Sequence, residues 1–183
     1  MKGIVFTEFL DMIDQTFSPD LCEEMVLSCD LPSGGAYTSV GTYDHKELIT
    51  MVVQLSKMTN IEVPDLVHAF GQHLFRVFVK DFPIEIDMAE ELFAFLDSVE
   101  NVIHVEVRKL YPDASIPSLI CHAVGPDSLQ VDYKSRCPFS TLAEGLITES
   151  SKHFKTPIEL KILSKSEAGD EASFLVKKIP VDA

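Results

Sequence analysis

The hydrophobic pattern of this 183-residue chain changes its period near residue 116, and that change limits the folds it can adopt. Before this point apolar residues recur at helical spacing, as at Val67, Phe70 and Leu74. After it, Leu129 and Val131 alternate with polar neighbours, which is the pattern of a strand with one buried face. Helices first and an antiparallel sheet afterwards predict an α+β fold in one domain, residues 1–183.

Proline, glycine and polar residues set the boundaries of about six or seven predicted helices. The predicted helices cover residues 2–17, 19–29, 45–58, a segment from about 64, 87–97, 99–110 and 139–153. Turns at 125–127 and 167–170 separate the strands of a predicted four-stranded antiparallel sheet, into which the helix 139–153 is inserted. Ser98 is the predicted N-cap of the helix 99–110, whose apolar residues occupy nearly every face, so we expect that helix to be buried.

Charge and composition exclude several classes of function. The net charge of −14 argues against nucleic acid and anionic membrane as partners, because both require a basic surface. Apolar stretches stay well short of the ~20 residues that span a membrane. Glu8, Asp11 and Asp14 interrupt any signal-peptide core, so we expect a cytoplasmic protein. The four cysteines form no CxxC pair, which favours reduced thiols and argues against a zinc site.

His104 is the first candidate for chemistry, because it lies in the apolar helix 99–110 and is expected to face the interior. A core histidine that hydrogen-bonds a backbone carbonyl would have no further role. The functional alternative is a metal ligand, and a lone histidine suits the single axial position of a haem rather than zinc. The sequence contains no GxGxxG, P-loop, GxSxG, HExxH or EF-hand pattern, so an enzyme is poorly supported.

The segment LQVDYKSRCPFS, residues 129–140, contains the second candidate site. If the segment is extended, Tyr133 and Ser135 share its inward face and Cys137 follows them. Lys134 and Arg136 then face water. Buried hydroxyls need hydrogen-bond partners, so Tyr133 and Ser135 either bond nearby backbone or bind the polar end of a buried ligand.

The chain resembles the haem–nitric oxide/oxygen binding (H-NOX) family, in its bacterial stand-alone form. Five segments carry the resemblance, in order and over nearly the whole chain: MKGIVF at the start, AYTSVGTY (36–43), DLVHAFGQHLF (65–75), IHVEVRKLYPDASIP (103–117) and Tyr133-x-Ser135 followed by AEGL (143–146). The segment around His104 is the most specific of them. The resemblance favours the haem-ligand interpretation of His104 over the core histidine.

The resemblance implies a pocket for haem b between a helical part, about residues 1–60, and a haem-pocket part, about 61–183. In that pocket His104 would be the axial ligand of the iron, and Pro117 would press on the porphyrin and keep it non-planar. Tyr133 and Ser135 would bind the propionates. Six residues would line the distal side: Val5, Phe9, Leu74, Phe78, Leu142 and Leu146.

Two departures from the family pattern affect the expected ligand and the expected affinity. Leu142 stands where oxygen-binding members have a tyrosine, and NO depends less than O₂ on such a donor, so NO is the expected signal. Cys137 stands where the Y-x-S-x-R motif has its arginine, which predicts weaker haem retention. A bulge at residues 135–137 would turn Arg136 inward as a propionate contact. Relatives with a zinc site carry cysteines that this chain lacks, so we expect no zinc.

The resemblance implies a haem-based NO sensor rather than an enzyme. Its signal would be rupture of the iron–His104 bond and movement of the helix 99–110, received by a separate histidine kinase or cyclic-di-GMP enzyme. A second hypothesis is a haem-free or weakly haem-binding regulatory module of the same fold that acts through protein contacts. A third is a thiol redox sensor at Cys137, beside the cations of Lys134 and Arg136.

Overall fold

The computed structural model describes residues 1–180 apart from the side chains of Glu85 and Leu110, and the predicted domain end at residue 183 lies outside the described residues. The helices are α1 Gly3–Thr16, α2 Pro19–Leu27, α3 His45–Thr59, α4 Val63–Asp81, α5 Pro83–Asp87, α6 Leu92–Ser98, α7 His104–Leu110 and α8 Ser140–His153. A π-helical turn, Val99–Ile103, joins α6 to α7 without a break. The predicted α+β fold is confirmed. The structure describes seven helices if α6, the π-helical turn and α7 are counted as one.

The strands are β1 Ser118–Gly125, β2 Ser128–Lys134, β3 Ile158–Lys165 and β4 Glu171–Lys178. They form an antiparallel sheet in the order β1-β2-β4-β3, with α8 inserted between β2 and β3. In β2, Leu129, Val131 and Tyr133 are buried, whereas the residues between them are only half-buried. The alternation in the sequence therefore predicted both the strand and its inward face.

Two hydrophobic clusters make up the core. The first lies among α1, α2, α3 and α4, and the second among α6, α8 and the sheet. Phe78 on α4 and Leu146 on α8 are half-buried and pack against both clusters, so they mark the junction between them. Helices α4 and α8 approach closely there, because Gly71 and Gly145 have no side chains to separate the two backbones.

The segment before His104 differs from its prediction. The predicted helix 87–97 is split into α5 and α6, and Ser98 is not an N-cap. Its backbone is helical, with φ −74° and ψ −19°, and its hydroxyl donates to the carbonyl of Phe95 at 2.7 Å. A serine that bonds back to the preceding turn leaves the helix continuous instead of starting a new one.

The expected burial of the helix 99–110 is also wrong. The described side chains of the π-helical turn and of α7 are half-buried or exposed, and Val105 is 37% exposed. Helix α7 follows the π-helical turn, and no other described element packs extensively against it. Within residues 1–180, no helix combines the length and apolar character needed to cross a membrane.

Candidate functional site

His104 is the first residue of α7, directly after the π-helical turn. Its side chain is 12% exposed, and its Nδ1 lies 3.0 Å from Oε2 of Glu100. The same Oε2 accepts the backbone N–H of Leu119 at 3.0 Å, while Arg108 donates to Oε1 at 3.0 Å. Glu100 therefore connects the imidazole to the second residue of β1 and to the next turn of α7.

The electrostatics of this cluster fix the form of the imidazole. Burial lowers the pKa of His104, and the Glu100 carboxylate opposes that effect only in part, so the ring is neutral at pH 7. Burial favours the neutral acid of Glu100, but hydrogen bonds from Leu119 and Arg108 outweigh it and lower the pKa of the carboxyl. An ionised carboxylate only accepts, so Nδ1 carries the proton and Nε2 keeps its lone pair. A neutral imidazole with a free Nε2 is a metal ligand.

The expected hydrogen bond from His104 to a backbone carbonyl is not the one observed, since Glu100 occupies Nδ1. With the side chains that the structure describes, the His104 ring makes no further hydrogen bond. Sequence reasoning overlooked Glu100, although it precedes His104 by four positions, the spacing at which helical side chains meet. That spacing, combined with the rule that ligating histidines are oriented by carboxylates, is the signal that could have found it.

Pro117 is half-buried and directly precedes β1, two positions before Leu119. The hydrogen bond from the Leu119 amide to Glu100 brings this end of the strand to the π-helical turn. The structure thus places Pro117 close in the fold to the residue that holds the His104 ring. Ile103 and Leu119 both pack as half-buried residues against the second hydrophobic cluster.

Tyr133 and Ser135 lie at the end of β2, about the point where the strand stops. Tyr133 is buried, and burial raises the pKa of its phenol to about 12, so it is a neutral donor. The Ser135 hydroxyl accepts the Cys137 amide at 3.1 Å and keeps its own proton to donate. The phenol lies within hydrogen-bonding reach of the Ser135 hydroxyl and of the Phe139 backbone.

The cations of this segment point outward. Strand β2 pairs regularly with β4 up to Lys134, which forms an ion pair with Glu171 at 2.5 Å. Arg136 follows the strand end, is exposed, and has no ion-pair partner in the described part of the chain. Cys137 is buried, and burial raises the pKa of its thiol. The donors that face inward here are therefore neutral hydroxyls.

The six predicted distal residues come from three helices, and all of them lie in or against the first cluster; Phe78 and Leu146 also pack against the second. Phe9 and Leu74 are fully buried in the first cluster, and the other four are half-buried: Val5, Phe78, Leu142 and Leu146. All six side chains are hydrocarbon, so none can donate a hydrogen bond to a bound gas. Among the described side chains, which leave out Glu85, no group of three or more histidine, cysteine, aspartate or glutamate residues could hold a metal ion by itself.

Comparisons with known proteins give the family. A family model described as Haem-NO-binding matches residues 2–162. The chain superposes on the Fe(II) unliganded H-NOX protein from K. algicida with a TM-score of 0.93 and 34% identity, over 99% of this chain and 98% of that one. An H-NOX protein from S. oneidensis in the Fe(II)NO state gives 0.91 and 25%, over 98% and 100%. The H-NOX from Shewanella woodyi bound to IWP-051 in the Fe(II)CO state gives 0.84 and 34%, over 100% and 97%.

The chain belongs to the Haem-NO-binding (H-NOX) family. The residues that it presents are chemically suited to the family's cofactor. One neutral histidine offers Nε2, apolar side chains from α1, α4 and α8 lie in or against the first hydrophobic cluster, and the hydroxyls of Tyr133 and Ser135 lie together at the end of β2. An iron porphyrin requires such a set: one axial nitrogen, an apolar enclosure, and donors for its carboxylates.

Proposed function

We propose that this chain is a haem-based sensor of nitric oxide. The observation that carries the proposal is the neutral His104, whose Nδ1 is held by Glu100 and whose Nε2 has no hydrogen-bond partner among the described residues. Bound haem b would supply an iron that takes one protein ligand and one diatomic gas. His104 would hold that iron, Tyr133 and Ser135 would donate to the propionates, and Pro117 would contact the macrocycle.

NO is the proposed signal because of the residues on the distal side. Bound O₂ acquires partial negative charge and is stabilised by a hydrogen-bond donor, whereas NO on ferrous haem is held without one. The six side chains proposed for the distal side offer only hydrocarbon. The family resemblance implies that Leu142 stands where oxygen-binding members have a tyrosine. Because these residues offer bound O₂ no hydrogen-bond donor, they support the selection of NO over O₂.

The signal would be release of His104 from the iron, followed by movement of α7. The described side chains of α7 are half-buried or exposed, and no other described element packs extensively against this helix. Helix α7 could therefore move without displacing a neighbouring element, which supports this step. The proposed moving parts are the helical part, about residues 1–60, and the haem-pocket part, about 61–183. As the family resemblance suggests, a separate histidine kinase or cyclic-di-GMP enzyme in the cytoplasm would receive the signal, and this chain would not be an enzyme.

Absorption spectra of the anaerobically purified, haem-supplemented protein test the proposal. We expect a Soret band that shifts when NO is added and that does not change when the reduced protein meets O₂ briefly. A His104→Ala variant should bind less haem, and external imidazole should restore part of that loss. A Soret band that is insensitive to NO would contradict NO sensing.

One observation favours the second hypothesis, a regulatory module of the same fold that holds haem weakly. Cys137 is buried and Arg136 is exposed. The family resemblance implies an arginine at position 137, so the propionates would meet no inward-facing cation from this segment. Loss of a charge-assisted hydrogen bond costs about 1.5–3 kcal/mol, which corresponds to about ten- to a hundredfold in haem affinity. Such a loss lowers haem retention without removing the iron–histidine bond.

The third hypothesis, a thiol redox sensor at Cys137, is disfavoured by the same burial. A reactive cysteine requires a thiolate, and burial raises the pKa of Cys137 instead of lowering it. The cations of Lys134 and Arg136 point away into solvent. Iodoacetamide should therefore label Cys137 much more slowly in the native protein than in the urea-unfolded chain at neutral pH. Equal rates would revive the thiol hypothesis.

A further inference from the structure

The Glu100 carboxylate accepts hydrogen bonds from three donors, two in α7 and one in β1. The His104 imidazole and the Leu119 amide share Oε2, and the Arg108 guanidinium occupies Oε1. Three donors around one carboxylate favour its ionised form, and an ionised carboxylate cannot give a proton to Nδ1. The contact with Glu100 therefore selects the tautomer of His104 in which Nδ1 is protonated.

Glu100 also fixes where the ring points. Its carboxylate is anchored to the β1 backbone through Leu119, so the oxygen that binds Nδ1 has a set position relative to the sheet. The Glu100 side chain is 25% exposed and lies one helical turn before His104. A histidine that is hydrogen-bonded at Nδ1 to an anchored carboxylate can rotate only if that bond breaks, and Nε2 is thereby held in one direction.

We propose that Glu100 is the positioning residue of His104: it holds the ring with Nε2 available to iron and increases the donor strength of that nitrogen. The proposal rests on the proposed haem function. A carboxylate that accepts Nδ1–H gives the imidazole partial anionic character, which strengthens its bond to a metal. Arg108 shares the same carboxylate and withdraws part of this charge, so Arg108 moderates the effect.

This arrangement bears directly on the response to NO. A stronger iron–nitrogen bond resists rupture, so the balance between Glu100 and Arg108 would set how readily His104 is released. Opposite changes at these two residues should then act in opposite directions on one bond. A residue that only stabilised the helix would not produce opposite shifts.

Resonance Raman spectroscopy of the ferrous unliganded protein measures the iron–histidine stretching band directly. We expect Glu100→Gln to move this band to lower frequency and Arg108→Ala to move it to higher frequency. Glu106→Gln is the matched control, because it removes the same charge from α7 at a residue that pairs with Lys109 and not with His104. A band for Glu100→Gln at or above the wild-type frequency would overturn the proposal.

A second measurement separates this inference from the proposed function. Long-range ¹H–¹⁵N NMR reports the tautomer of His104 in the haem-free chain or, where haem is bound, in the diamagnetic CO complex. We expect protonation at Nδ1 in wild type and Glu106→Gln, and loss of that strict preference in haem-free Glu100→Gln. If wild type takes up no haem, the proposed function fails, but the tautomer measured for His104 in the haem-free chain still tests whether Glu100 positions the ring. Protonation at Nε2 in haem-free wild type would overturn the inference.

Discussion

The ammonium of Lys2 lies 2.9 Å from Oδ1 of Asp113, a residue 111 positions away that follows the end of α7. Thr42 donates to the same carboxylate at 3.0 Å, and the Lys2 ammonium also lies 5.2 Å from the centre of the Tyr111 ring. Lys2 directly precedes α1, which belongs to the first hydrophobic cluster. These contacts join the start of the helical part to the chain just after the helix that carries His104.

Replacing Asp113 with asparagine should lower stability at neutral pH and have little effect in acid. Hydrogen bonds from Lys2 and then Thr42 lower the pKa of Asp113 below its ordinary value. A carboxyl with a depressed pKa stabilises the fold above its unfolded pKa, about 3.9, and that stabilisation is lost as the pH falls through the lower folded value. Urea unfolding of wild type and Asp113→Asn at several pH values measures the difference.

The control for this experiment is Asp30→Asn, which removes one charge from an exposed loop residue. Asp30 forms no ion pair with any side chain that the structure describes, so its substitution should leave the dependence of stability on pH as in wild type. The prediction is contradicted if Asp113→Asn and wild type have the same unfolding free energy at every pH. It is also contradicted if the difference between their unfolding free energies grows below about pH 3.9, the unfolded pKa of the carboxyl.

Adding one methyl group at Gly71 should destabilise the junction of α4 and α8. A Cβ there would lie within 2.3 Å of the Leu142 carbonyl oxygen, and one at Gly145 within 2.2 Å of the His68 carbonyl oxygen. Both neighbours are backbone atoms and cannot turn aside, so Gly71→Ala should cost about 1–3 kcal/mol of unfolding free energy. Gly125→Ala is the control, because a Cβ there meets Ser128 at an ordinary 3.6 Å. Equal unfolding midpoints for both variants would contradict the close approach.

The sequence predicted the parts of this fold that depend on local pattern. Alternation at Leu129 and Val131 was sufficient for β2, because one face of the strand is buried. The N-cap at Ser98 was wrong, because a serine also bonds back within a continuous helix, and apolar spacing does not separate the two cases. The Lys2–Asp113 ion pair could not be predicted from local sequence patterns, because only the tertiary fold brings together residues so distant in the sequence.

The candidate site was predictable to a similar degree. The interior placement of Tyr133 followed from strand alternation, and His104 was selected by its apolar surroundings and by the family resemblance. Its hydrogen-bond partner was not: a backbone carbonyl was expected, and the carboxylate of Glu100 is observed. The sequence alone allowed two orientations of Arg136, outward on a regular strand or inward at a bulge. Strand β2 ends at Lys134, and Arg136 is exposed.

Substitution of Tyr133 by phenylalanine should weaken haem binding more than it weakens the fold. In the haem-free chain the phenol has only neutral neighbours within hydrogen-bonding reach, the Ser135 hydroxyl and the Phe139 backbone, so loss of its oxygen should cost about 1 kcal/mol of unfolding free energy. A hydrogen bond to a propionate carboxylate contributes about 1.5–3 kcal/mol, so haem should transfer to apomyoglobin about ten- to a hundredfold faster. An unchanged transfer rate would exclude a propionate role for Tyr133.

Substitution of Cys137 by arginine should strengthen haem retention. The new guanidinium would stand at the family's arginine position and restore a charge-assisted hydrogen bond, which slows haem loss by about ten- to a hundredfold. Cys137→Ser is the matched control, because it removes the thiol without adding a charge. Equal rates of haem transfer to apomyoglobin from wild type, Cys137→Arg and Cys137→Ser would count against the account given for this position.

The central claim is that this chain holds haem through His104. The pyridine haemochrome content of anaerobically purified, haem-supplemented protein measures this most directly. We predict nearly one haem per chain for wild type and a large loss for His104→Ala, with the two proteins equally folded by circular dichroism. Wild-type protein that contains no haem after reconstitution, or a His104→Ala variant with undiminished haem, would contradict the claim.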